Sequence, residues 1–247
     1  MKAIILAAGR GSRMGSATEQ KPKCLAELGG RPLLDWQIDA LRRAGFTELA
    51  IVRGYRGQLL DNRGVDRLFD NPRWSETNMV RSLACAAEWL RAEPCVVSYS
   101  DIVYHPSAPQ SLAVAAAWLA ITYAPHWLDL WSRRFADPLA DAETFRLGPD
   151  GTVREIGRRP QTVGEVEGQY MGLLKFTPES WAEVEHLLAA LPPTEGDRLD
   201  MTSLLGRLIA RGKPITAVPY PGSWGEADNQ EDLALYERML ASGEMVL

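Results

Sequence analysis

A glycine-containing loop near the start of the chain combines residue types that suit phosphate binding. The segment LAAGRGSRMGSATEQKPK covers residues 6–23 and begins inside a short apolar run. Gly9 and Gly11 allow a sharp turn and let backbone N–H groups approach an oxyanion. Arg13 offers a planar, permanently charged fork, and Lys23 offers a point charge at the far end of the loop. The loop therefore predicts a site for a phosphorylated ligand.

The spacing excludes two better-known phosphate loops. A dinucleotide fingerprint needs a third glycine, but Met14 occupies the position that Gly9-x-Gly11-x-x would require. A Walker loop needs GK followed by Ser or Thr, and the sequence contains no such tripeptide. A solvated, flexible loop is the alternative for an isolated GxG, and the complete run of polar and basic residues argues against it.

Composition excludes several other classes of protein. The 247 residues carry a net charge of −5, which argues against a nucleic-acid partner because such a partner requires a large basic face. No apolar run approaches the roughly 20 residues of a membrane span, and residues 1–8 lack the apolar region of a signal peptide. We expect a cytoplasmic protein with no membrane partner.

Cysteine and histidine spacing does not favour a zinc enzyme, a redox enzyme or a histidine-based triad. Cys24, Cys85 and Cys95 are widely separated, and so are the three histidines. The few, unpaired cysteines suit a reducing cytoplasm. Cys24 follows Lys23, so a reactive thiolate is conceivable, but a buried and inert thiol is the interpretation that we favour.

The first half of the chain alternates strand-like and helical segments. Predicted strands cover residues 2–7, 48–53, 65–69, 95–99 and 119–123, and predicted helices begin at Pro32, at Thr77 or Asn78, and at Ser111. This βαβα order predicts a parallel sheet with helices on both faces.

The middle of the chain breaks this order. Pro149-Asp150-Gly151 is a turn signal between antiparallel strands at 144–147 and 152–156, and another strand is predicted at 169–176. Helices from Thr177-Pro178, at 202–211 and from about Asn229 follow, with a strand at 215–218. We predict one α/β domain over 1–247. It has a Rossmann-like, mostly parallel sheet with helices on both faces and a small antiparallel insertion at roughly 124–176 for the acceptor.

The loop resembles the signature of the nucleoside-triphosphate transferase family that includes the sugar-1-phosphate nucleotidylyltransferases. That signature is LAAG-x-G-x-R-[LM], then T, then PK, and Leu6, Ala7, Ala8, Gly9, Gly11, Arg13, Met14, Thr18, Pro22 and Lys23 match it. The resemblance implies a Mg²⁺-dependent enzyme that transfers a nucleoside monophosphate from an NTP to a phosphorylated acceptor and releases pyrophosphate.

Two aspartates follow predicted strand ends, where ligands bind in parallel α/β sheets. Asp101 follows the strand at 95–99, and Asp228 follows the late strand region. Mg²⁺ prefers oxygen ligands and keeps several waters, so two carboxylates and NTP oxygens suffice. The resemblance implies that Asp101 and Asp228 are this metal pair. From the residues alone, Asp101 can equally be a turn residue and Asp228 the N-cap of the last helix.

The transfer needs no protein nucleophile, because an acceptor oxygen attacks the α-phosphorus and pyrophosphate leaves in line. The residues assigned to catalysis are Lys23 for the α-phosphate and the acceptor phosphate, Arg13 for the leaving pyrophosphate, and Asp101 for the metal. The residues assigned to the nucleotide are Leu6, Ala7, Ala8, Gly9, Gly11, Arg13, Asn78 and Ser82.

Several segments resemble the small cytidylyltransferases of this family, which act on phosphocholine, 2-aminoethylphosphonate or phosphoglutamine. These segments are ETNMVRSL at 76–83, YSDIVY, LWSRRF, PL-x-DAE, GQYMGL and W-x-E-x-D, and their order is most similar to the phosphoglutamine type. The resemblance implies CTP as the donor and a small phosphorylated acceptor as the partner.

The acceptor is assigned to a cluster in the middle of the chain. Asp129, Trp131 and Glu143 can surround an ammonium group by charge pairing and cation–π contact. Arg133 or Arg134 can hold a carboxylate or phosphate, and Tyr170 is a candidate wall residue. The alternative is that the tryptophans are core residues and the arginines form solvated ion pairs.

Two other functions remain open. A hexose-1-phosphate nucleotidylyltransferase would use UTP or dTTP. A non-catalytic nucleotide-binding regulatory module would be expected to have lost Lys23, Asp101 or Asp228, and all three are present. The sequence also leaves open whether the chain forms a homodimer.

Overall fold

The apolar runs of the sequence become the central strands of a twisted sheet. The computed structural model describes residues 1–11, 14–15 and 18–247. Its strands are β1 (Lys2–Ala7), β2 (Glu27–Leu28), β3 (Arg31–Pro32), β4 (Leu49–Arg53), β5 (Arg67–Asp70), β6 (Cys95–Tyr99), β7 (Ile102–Tyr104), β8 (Leu119–Ala124), β9 (Phe145–Leu147), β10 (Val153–Ile156), β11 (Gln169–Phe176), β12 (Thr216–Pro219) and β13 (Trp224–Glu226).

Within the described residues, seven strands form the main sheet in the order β12-β8-β11-β6-β1-β4-β5. Neighbouring strands are parallel except where β11 lies antiparallel to β6 and β8. Strands β1, β4 and β6 are buried almost throughout, as expected for parallel strands covered on both faces. The predicted fold class, a mostly parallel α/β sheet with small antiparallel pairs, is confirmed.

The helices cover both faces of this sheet. They are α1 (Leu33–Arg43), α2 (Met79–Ala84), α3 (Ala87–Ala92), α4 (Ser107–Val114), α5 (Trp127–Arg134), α6 (Pro178–Ala190), α7 (Pro193–Arg198), α8 (Met201–Ala210) and α9 (Gln230–Ser242). Side chains that accept a hydrogen bond from the first turn begin several of them, as expected of N-caps; these are Asn78, Thr177, Asp200 and Asn229. No helix in the described part of the chain is long and apolar enough to cross a membrane.

The helix predicted to start at Ser111 begins and ends earlier. Helix α4 stops at Val114, and Ala115 is already extended. The ammonium of Lys175, on the neighbouring strand β11, donates hydrogen bonds to the carbonyl groups of Ala113 and Ala115 at 2.8 and 2.7 Å. These bonds satisfy carbonyl groups at the end of the helix. The end of α4 is thus determined by a residue distant in sequence.

Two antiparallel pairs lie outside the main sheet and matter for the site. Strands β9 and β10 pair within residues 125–168, which leave the main sheet between β8 and β11. Strand β11 itself belongs to the main sheet, so the excursion is shorter than the insertion predicted at 124–176. Strands β7 and β13 form the second pair, which lies beside the carboxyl end of β6.

Candidate active site

The antiparallel pair β7–β13 brings two distant acidic segments together. Asp101 occupies the turn between β6 and β7, and Ile102 pairs with Glu226 across the ladder. The backbone N–H of Ala227 donates to the carbonyl of Asp101 at 2.9 Å. Inside the fold, the side-chain amide of Gln37 donates to the carbonyl of Ile102 at 2.6 Å and fixes the start of β7. Glu226 and Asp228 are therefore held next to Asp101.

Three carboxylates meet at this point. One oxygen from each of Asp101, Glu226 and Asp228 lies within 4.8 Å of the others. Lys23 lies between two of them, and its ammonium donates to Asp101 Oδ2 and to Asp228 Oδ1, both at 2.7 Å. The second oxygen of Asp101 is buried and accepts no hydrogen bond from the described residues. The cluster thus offers oxygen ligands to a cation beyond those that Lys23 uses.

Burial and mutual repulsion change the protonation of this cluster. Burial alone would lower the pKa of Lys23, but the charges of Asp101 and Asp228 and their hydrogen bonds outweigh it and raise that pKa. Burial has the largest effect on Glu226, and the negative charges of Asp228 and Asp101 add to it. Together they raise the pKa of Glu226 to about 8. These interactions favour the charged form of Lys23 and the protonated form of Glu226.

Arg134 helps to position Asp228, one of the three clustered carboxylates. Its side chain is fully buried and donates two hydrogen bonds to the carboxylate of Asp232, at 2.9 and 3.0 Å. It also lies 3.6 Å from Asp228. Asp232 in turn accepts the backbone N–H of Asp228 at 2.8 Å. This network fixes the position of Asp228 at the start of α9.

Aromatic rings surround the guanidinium of Arg134. Its Cζ lies 4.6 Å from the ring centre of Trp131 and 4.8 Å from that of Phe135. Burial disfavours the charge, but the hydrogen bonds to Asp232 and the nearby negative groups outweigh it and raise the pKa of Arg134. The cation–π contacts stabilise the charge further. Trp131 is thus a core residue, and its cation–π partner is Arg134 rather than a ligand.

The glycine loop packs directly on Lys23. Gly11 has a φ of +72°, and a Cβ at this position would lie 2.5 Å from the Cβ of Lys23. A side chain at 11 would therefore displace the lysine from the carboxylates. Gly9 differs, because a Cβ there would meet no atom within 4 Å. The space beside Gly9 opens into a cleft.

This cleft, named the loop cleft here, is formed between the glycine loop and the start of α2. Its lining residues include Leu6, Ala8, Gly9, Gly11, Lys23, Trp74, Thr77, Asn78, Ser82, Tyr99 and Asp101. Most residues assigned to the nucleotide from sequence therefore share one cleft with Lys23 and Asp101. Ala7 differs because side chains alternate along β1, so its side chain is 2% exposed and lies in the core. Arg13 lies outside the described residues.

The polar side chains of the loop cleft are partly engaged with one another. The amide of Asn71 donates to the hydroxyl groups of Thr77 and Ser82, both at 3.0 Å. Asn78 caps α2 by accepting the N–H of Met79 at 2.8 Å, and it donates to the carbonyl of Arg198 at 3.2 Å. This network holds the start of α2 rigid beside the cleft.

A second cleft, named the acidic cleft here, lies on the other side of Asp101. Its lining residues include Tyr99, Asp101, Asp141, Glu143, Gln169, Tyr170, Asp200, Thr202, Glu226 and Asp228. Met79, Tyr99 and Asp101 line both clefts, so the two are contiguous. Burial raises the pKa of Glu143, and the charge of Asp200 raises it further. Tyr170 packs edge-to-face on Tyr99, with ring centres 5.8 Å apart.

The acceptor cluster predicted from sequence is not brought together. Glu143 and Tyr170 line the acidic cleft, whereas Asp129 and Arg133 line a separate surface cleft beside Tyr220 and Met239. Arg133 pairs there with Glu244 at 2.8 Å. Trp131 is 0% exposed and reaches neither cleft. The prediction that Asp129, Trp131 and Glu143 surround one ligand is therefore wrong.

Several site residues were not identified from sequence. The sequence does contain a signal for Glu226, which lies two positions before Asp228 in the W-x-E-x-D segment. In an extended strand, residues two positions apart lie on the same side. Arg133 was assigned to the acceptor, and Arg134 was considered only as its alternative. Gln169 lies in the GQYMGL segment, from which only Tyr170 was assigned. Trp74 and Asp200 carry no local motif, and the fold alone brings them to the clefts.

Comparison with known proteins identifies the family of the chain. Residues 3–161 match the MobA-like NTP transferase domain. The chain is 36% identical to the CTP:phosphoglutamine cytidylyltransferase of Campylobacter jejuni, covering 94% of this chain and 98% of that protein. It is 28% identical to the N-acetylmuramate alpha-1-phosphate uridylyltransferase of Neisseria meningitidis, covering 75% and 79%.

A solved structure supports the fold assignment. The inositol-1-phosphate CTP transferase from T. maritima superposes with a TM-score of 0.77 at 21% identity. The superposition covers 100% of this chain and 97% of that one. At this level of identity the likeness supports the shared fold alone.

Proposed function

Because the chain belongs to the MobA-like NTP transferase family, and is a nucleotidyltransferase, we propose that it transfers CMP from CTP to a small phosphorylated or phosphonate acceptor, releasing pyrophosphate. The observation that carries this proposal is the position of Lys23. Its ammonium lies between Asp101 and Asp228, at the junction of the loop cleft and the acidic cleft. Lys23 lines the loop cleft, and its two carboxylate partners line the acidic cleft, so we assign this cation to phosphates on both sides of Asp101.

In this proposal the loop cleft holds the nucleotide. The backbone from Ala8 to Gly11 faces the phosphates, and the open space beside Gly9 permits their close approach. Trp74, Asn78 and Ser82 form the opposite side of the cleft. The hydrogen bonds of Asn71 and Asn78 hold that side before CTP arrives, so little ordering is needed on binding.

The acidic cleft receives the acceptor, whose phosphate or phosphonate points toward Lys23. The bond that forms joins an acceptor oxygen to the α-phosphorus, and the bond that breaks joins that phosphorus to the pyrophosphate oxygen. Lys23 neutralises charge on the α-phosphate and the acceptor phosphate, and Arg13 is assigned to the leaving pyrophosphate. Residues 125–168, which carry Glu143 and Asp141, supply one wall of the acceptor site. In this proposal residues 1–247 act as one domain in the cytoplasm.

The carboxylate cluster fits a divalent cation. Asp101, Asp228 and Glu226 would hold Mg²⁺, because their oxygens lie within 4.8 Å of each other and one Asp101 oxygen has no described partner. When bound, Mg²⁺ would neutralise charge on the phosphate oxygens. The ammonium of Lys23 already neutralises two of these carboxylates, so it can turn toward phosphate only when another cation replaces it there.

A sugar-1-phosphate nucleotidylyltransferase is the second candidate. The relative from Neisseria meningitidis, named as a uridylyltransferase of a sugar 1-phosphate, favours it. The relative from Campylobacter jejuni has higher identity and covers more of both chains, so CTP and a phosphoglutamine-like acceptor are preferred.

Pyrophosphate release distinguishes these proposals. The protein is assayed with Mg²⁺ while CTP, UTP, dTTP and ATP are each combined with phosphoglutamine, phosphocholine, 2-aminoethylphosphonate and glucose 1-phosphate. Release with CTP and a non-sugar acceptor supports the proposal, and omission of Mg²⁺ should abolish it. Release with UTP or dTTP and glucose 1-phosphate alone would favour the second candidate. Absence of release, despite CTP binding in a titration, would favour the regulatory module.

A further inference from the structure

Tyr55, which follows β4, contacts the glycine loop near both of its ends. Its backbone N–H donates to the carbonyl of Ala8 at 2.9 Å, and its hydroxyl donates to the carbonyl of Glu19. The guanidinium carbon of Arg10, a residue of the loop, lies 5.7 Å from the centre of the Tyr55 ring. Three contacts thus join Tyr55 to a loop that is distant from it in sequence.

The same ring contacts the opposite side of the loop cleft. Tyr55 and Trp74 pack edge-to-face, and their ring centres lie 5.2 Å apart. Trp74 lines the loop cleft, and so do Ala8 and Gly9, whereas Tyr55 is not among the described lining residues. Tyr55 is therefore bonded to the loop on one side of the cleft and packed against a residue of the other side.

Gly54 makes this close packing possible because it has no side chain. A Cβ at position 54 would lie 2.7 Å from the carbonyl oxygen of Ala8 and would overlap the Cβ of Trp74. Asn71, which belongs to the hydrogen-bond network at the start of α2, is joined to the same segment. Its backbone N–H donates to the carbonyl of Arg53 at 2.8 Å. This short segment after β4 therefore contacts both sides of the loop cleft.

The pairing of Tyr55 with Trp74 is not part of the hydrophobic core. Both side chains are half-buried, and neither ring belongs to the buried hydrophobic clusters of the described residues. Aromatic side chains contribute most to stability when they bury their large surface in a core. A half-buried pair beside a cleft favours a role in the geometry of that cleft.

We propose that Tyr55 is a positioning residue for the nucleotide. It fixes the glycine loop relative to Trp74, and so it sets the width of the loop cleft before the nucleotide binds. This inference rests on the proposed CMP transfer, which assigns the loop cleft to CTP. A cleft whose two sides are already held in place loses little conformational freedom on binding, and this raises affinity. Tyr55 acts through Ala8, Glu19 and Trp74 rather than by direct contact with CTP.

Two substitutions separate the contacts of Tyr55. Tyr55→Phe removes the hydroxyl that bonds to Glu19 and keeps the ring beside Trp74, whereas Tyr55→Leu removes both contacts. The KM for CTP should rise about fivefold in Tyr55→Phe, the effect of one hydrogen bond. It should rise about 25-fold in Tyr55→Leu, because the aromatic contact is lost as well. Tyr55→Phe keeps the packed ring, so the test does not depend on the folding of Tyr55→Leu.

Two measurements distinguish positioning from general stability. Steady-state pyrophosphate release gives the KM for CTP and for the acceptor, and a CTP titration with Mg²⁺ but without acceptor gives the dissociation constant of CTP. The dissociation constant should rise with the KM for CTP. The KM for the acceptor should keep its wild-type value, because neither Tyr55 nor Trp74 is among the described residues that line the acidic cleft.

Tyr220→Phe is the matched control. It also removes a tyrosine hydroxyl from a hydrogen bond, in this case with the hydroxyl of Ser107 at 3.1 Å. Tyr220 lines the separate surface cleft beside Arg133. This variant should therefore keep the wild-type KM and dissociation constant for CTP.

The outcomes separate this inference from the proposed function. A wild-type dissociation constant for CTP in both variants, or in Tyr55→Phe if Tyr55→Leu does not fold, would overturn the positioning role and leave CMP transfer intact. Equal rises in the KM for CTP and for the acceptor would overturn it too, because a residue that only stabilises the fold gives that result. If the wild-type protein binds CTP but releases no pyrophosphate with any acceptor, CMP transfer fails. Weaker CTP binding by the variants would then still support the positioning role, and unchanged binding would overturn it.

Discussion

The ammonium of Lys23 and a carboxylate oxygen of Asp101 lie 2.7 Å apart, although 78 residues separate them in the chain. The lysine side chain is 8% exposed and reaches Asp228 at the same distance. This buried cation offsets the repulsion between the two carboxylates. In the proposed function, the same cation must serve the phosphates during transfer. Lys23 therefore couples the stability of the site to its occupancy.

Replacing Lys23 by methionine should separate these two roles. Asp101 and Asp228 lose the ammonium that lies between them, so we expect the free energy of unfolding without Mg²⁺ to fall by about 3 kcal/mol. Turnover should fall at least about a hundredfold, because the charge that faces the phosphates is lost. Urea unfolding with and without Mg²⁺, and steady-state pyrophosphate release, measure the two effects.

Mg²⁺ should restore much of the stability of this variant without restoring its activity, because a divalent ion can neutralise the carboxylates but cannot supply the lysine. Near-normal turnover would contradict the assigned role of Lys23.

Asp101→Asn should remove the stabilisation that Mg²⁺ gives to the wild-type protein. The change keeps the size of the side chain but removes one of the three clustered carboxylates. Thermal unfolding is recorded across a Mg²⁺ titration with and without CTP. Asp129→Asn, an exposed position in another cleft, is the control and should respond as the wild type does. A wild-type Mg²⁺ response in Asp101→Asn would refute the predicted metal pair.

Arg134 and Arg133 should respond very differently to the same substitution. Arg134→Met removes the two hydrogen bonds that Arg134 donates to the buried Asp232. We expect the free energy of unfolding to fall by about 3 kcal/mol. Arg133→Met breaks an exposed pair with Glu244 and should change stability by no more than about 0.5 kcal/mol. Arg134→Lys keeps the charge but not the paired geometry, so partial recovery is expected. Equal urea midpoints for Arg133→Met and Arg134→Met would contradict the buried network.

The loop motif and the strand ends, combined with the family resemblance, located the residues proposed for the chemistry. Lys23 was assigned from the glycine-loop signature, and Asp101 from its position after β6, at the edge where parallel strands end. The pairing of Asp101 with Asp228 as metal ligands was implied by the resemblance and remains a proposal. The structure also removes one alternative for Asp228, because Asn229 is the N-cap of the last helix. Glu226 was not assigned although it lies two positions before Asp228, because only the pairing of β13 with β7 shows that this segment lies beside Asp101.

The prediction for Asp129, Trp131 and Arg133 was wrong because residues 127–134 form an amphipathic helix. Asp129 and Arg133 are four positions apart in α5 and share its exposed face, whereas Trp127, Trp131 and Arg134 share the buried face. Assigning residues 127–134 to a helix would have placed Trp131 in the core and turned Arg134 inward. Whether that inward face meets Asp232 or a ligand depends on how α9 packs, and helical periodicity alone does not determine such packing.

Alkylation should test the burial of the cysteines. Burial raises the pKa of Cys24 and Cys95 to about 12, and it also raises the pKa of the half-buried Cys85. At pH 8, roughly one in ten thousand Cys24 thiols is then ionised, and the thiolate is the reactive form. We expect iodoacetamide to leave Cys24 and Cys95 unmodified in the native protein and to label all three cysteines in urea, as read by mass spectrometry. Rapid native labelling of Cys24 would show a reactive thiol beside Lys23.

The pairing of β7 with β13 also determines when the site can exist. Asp101 is synthesised long before Glu226 and Asp228, and its partners arrive only when β13 has paired with β7 and α9 has begun. A chain still emerging from the ribosome therefore has the glycine loop and Asp101, but no carboxylate cluster. Partly synthesised chains should therefore lack the carboxylate cluster, because Glu226 and Asp228 reach Asp101 only after the last strand has been made and has paired with β7.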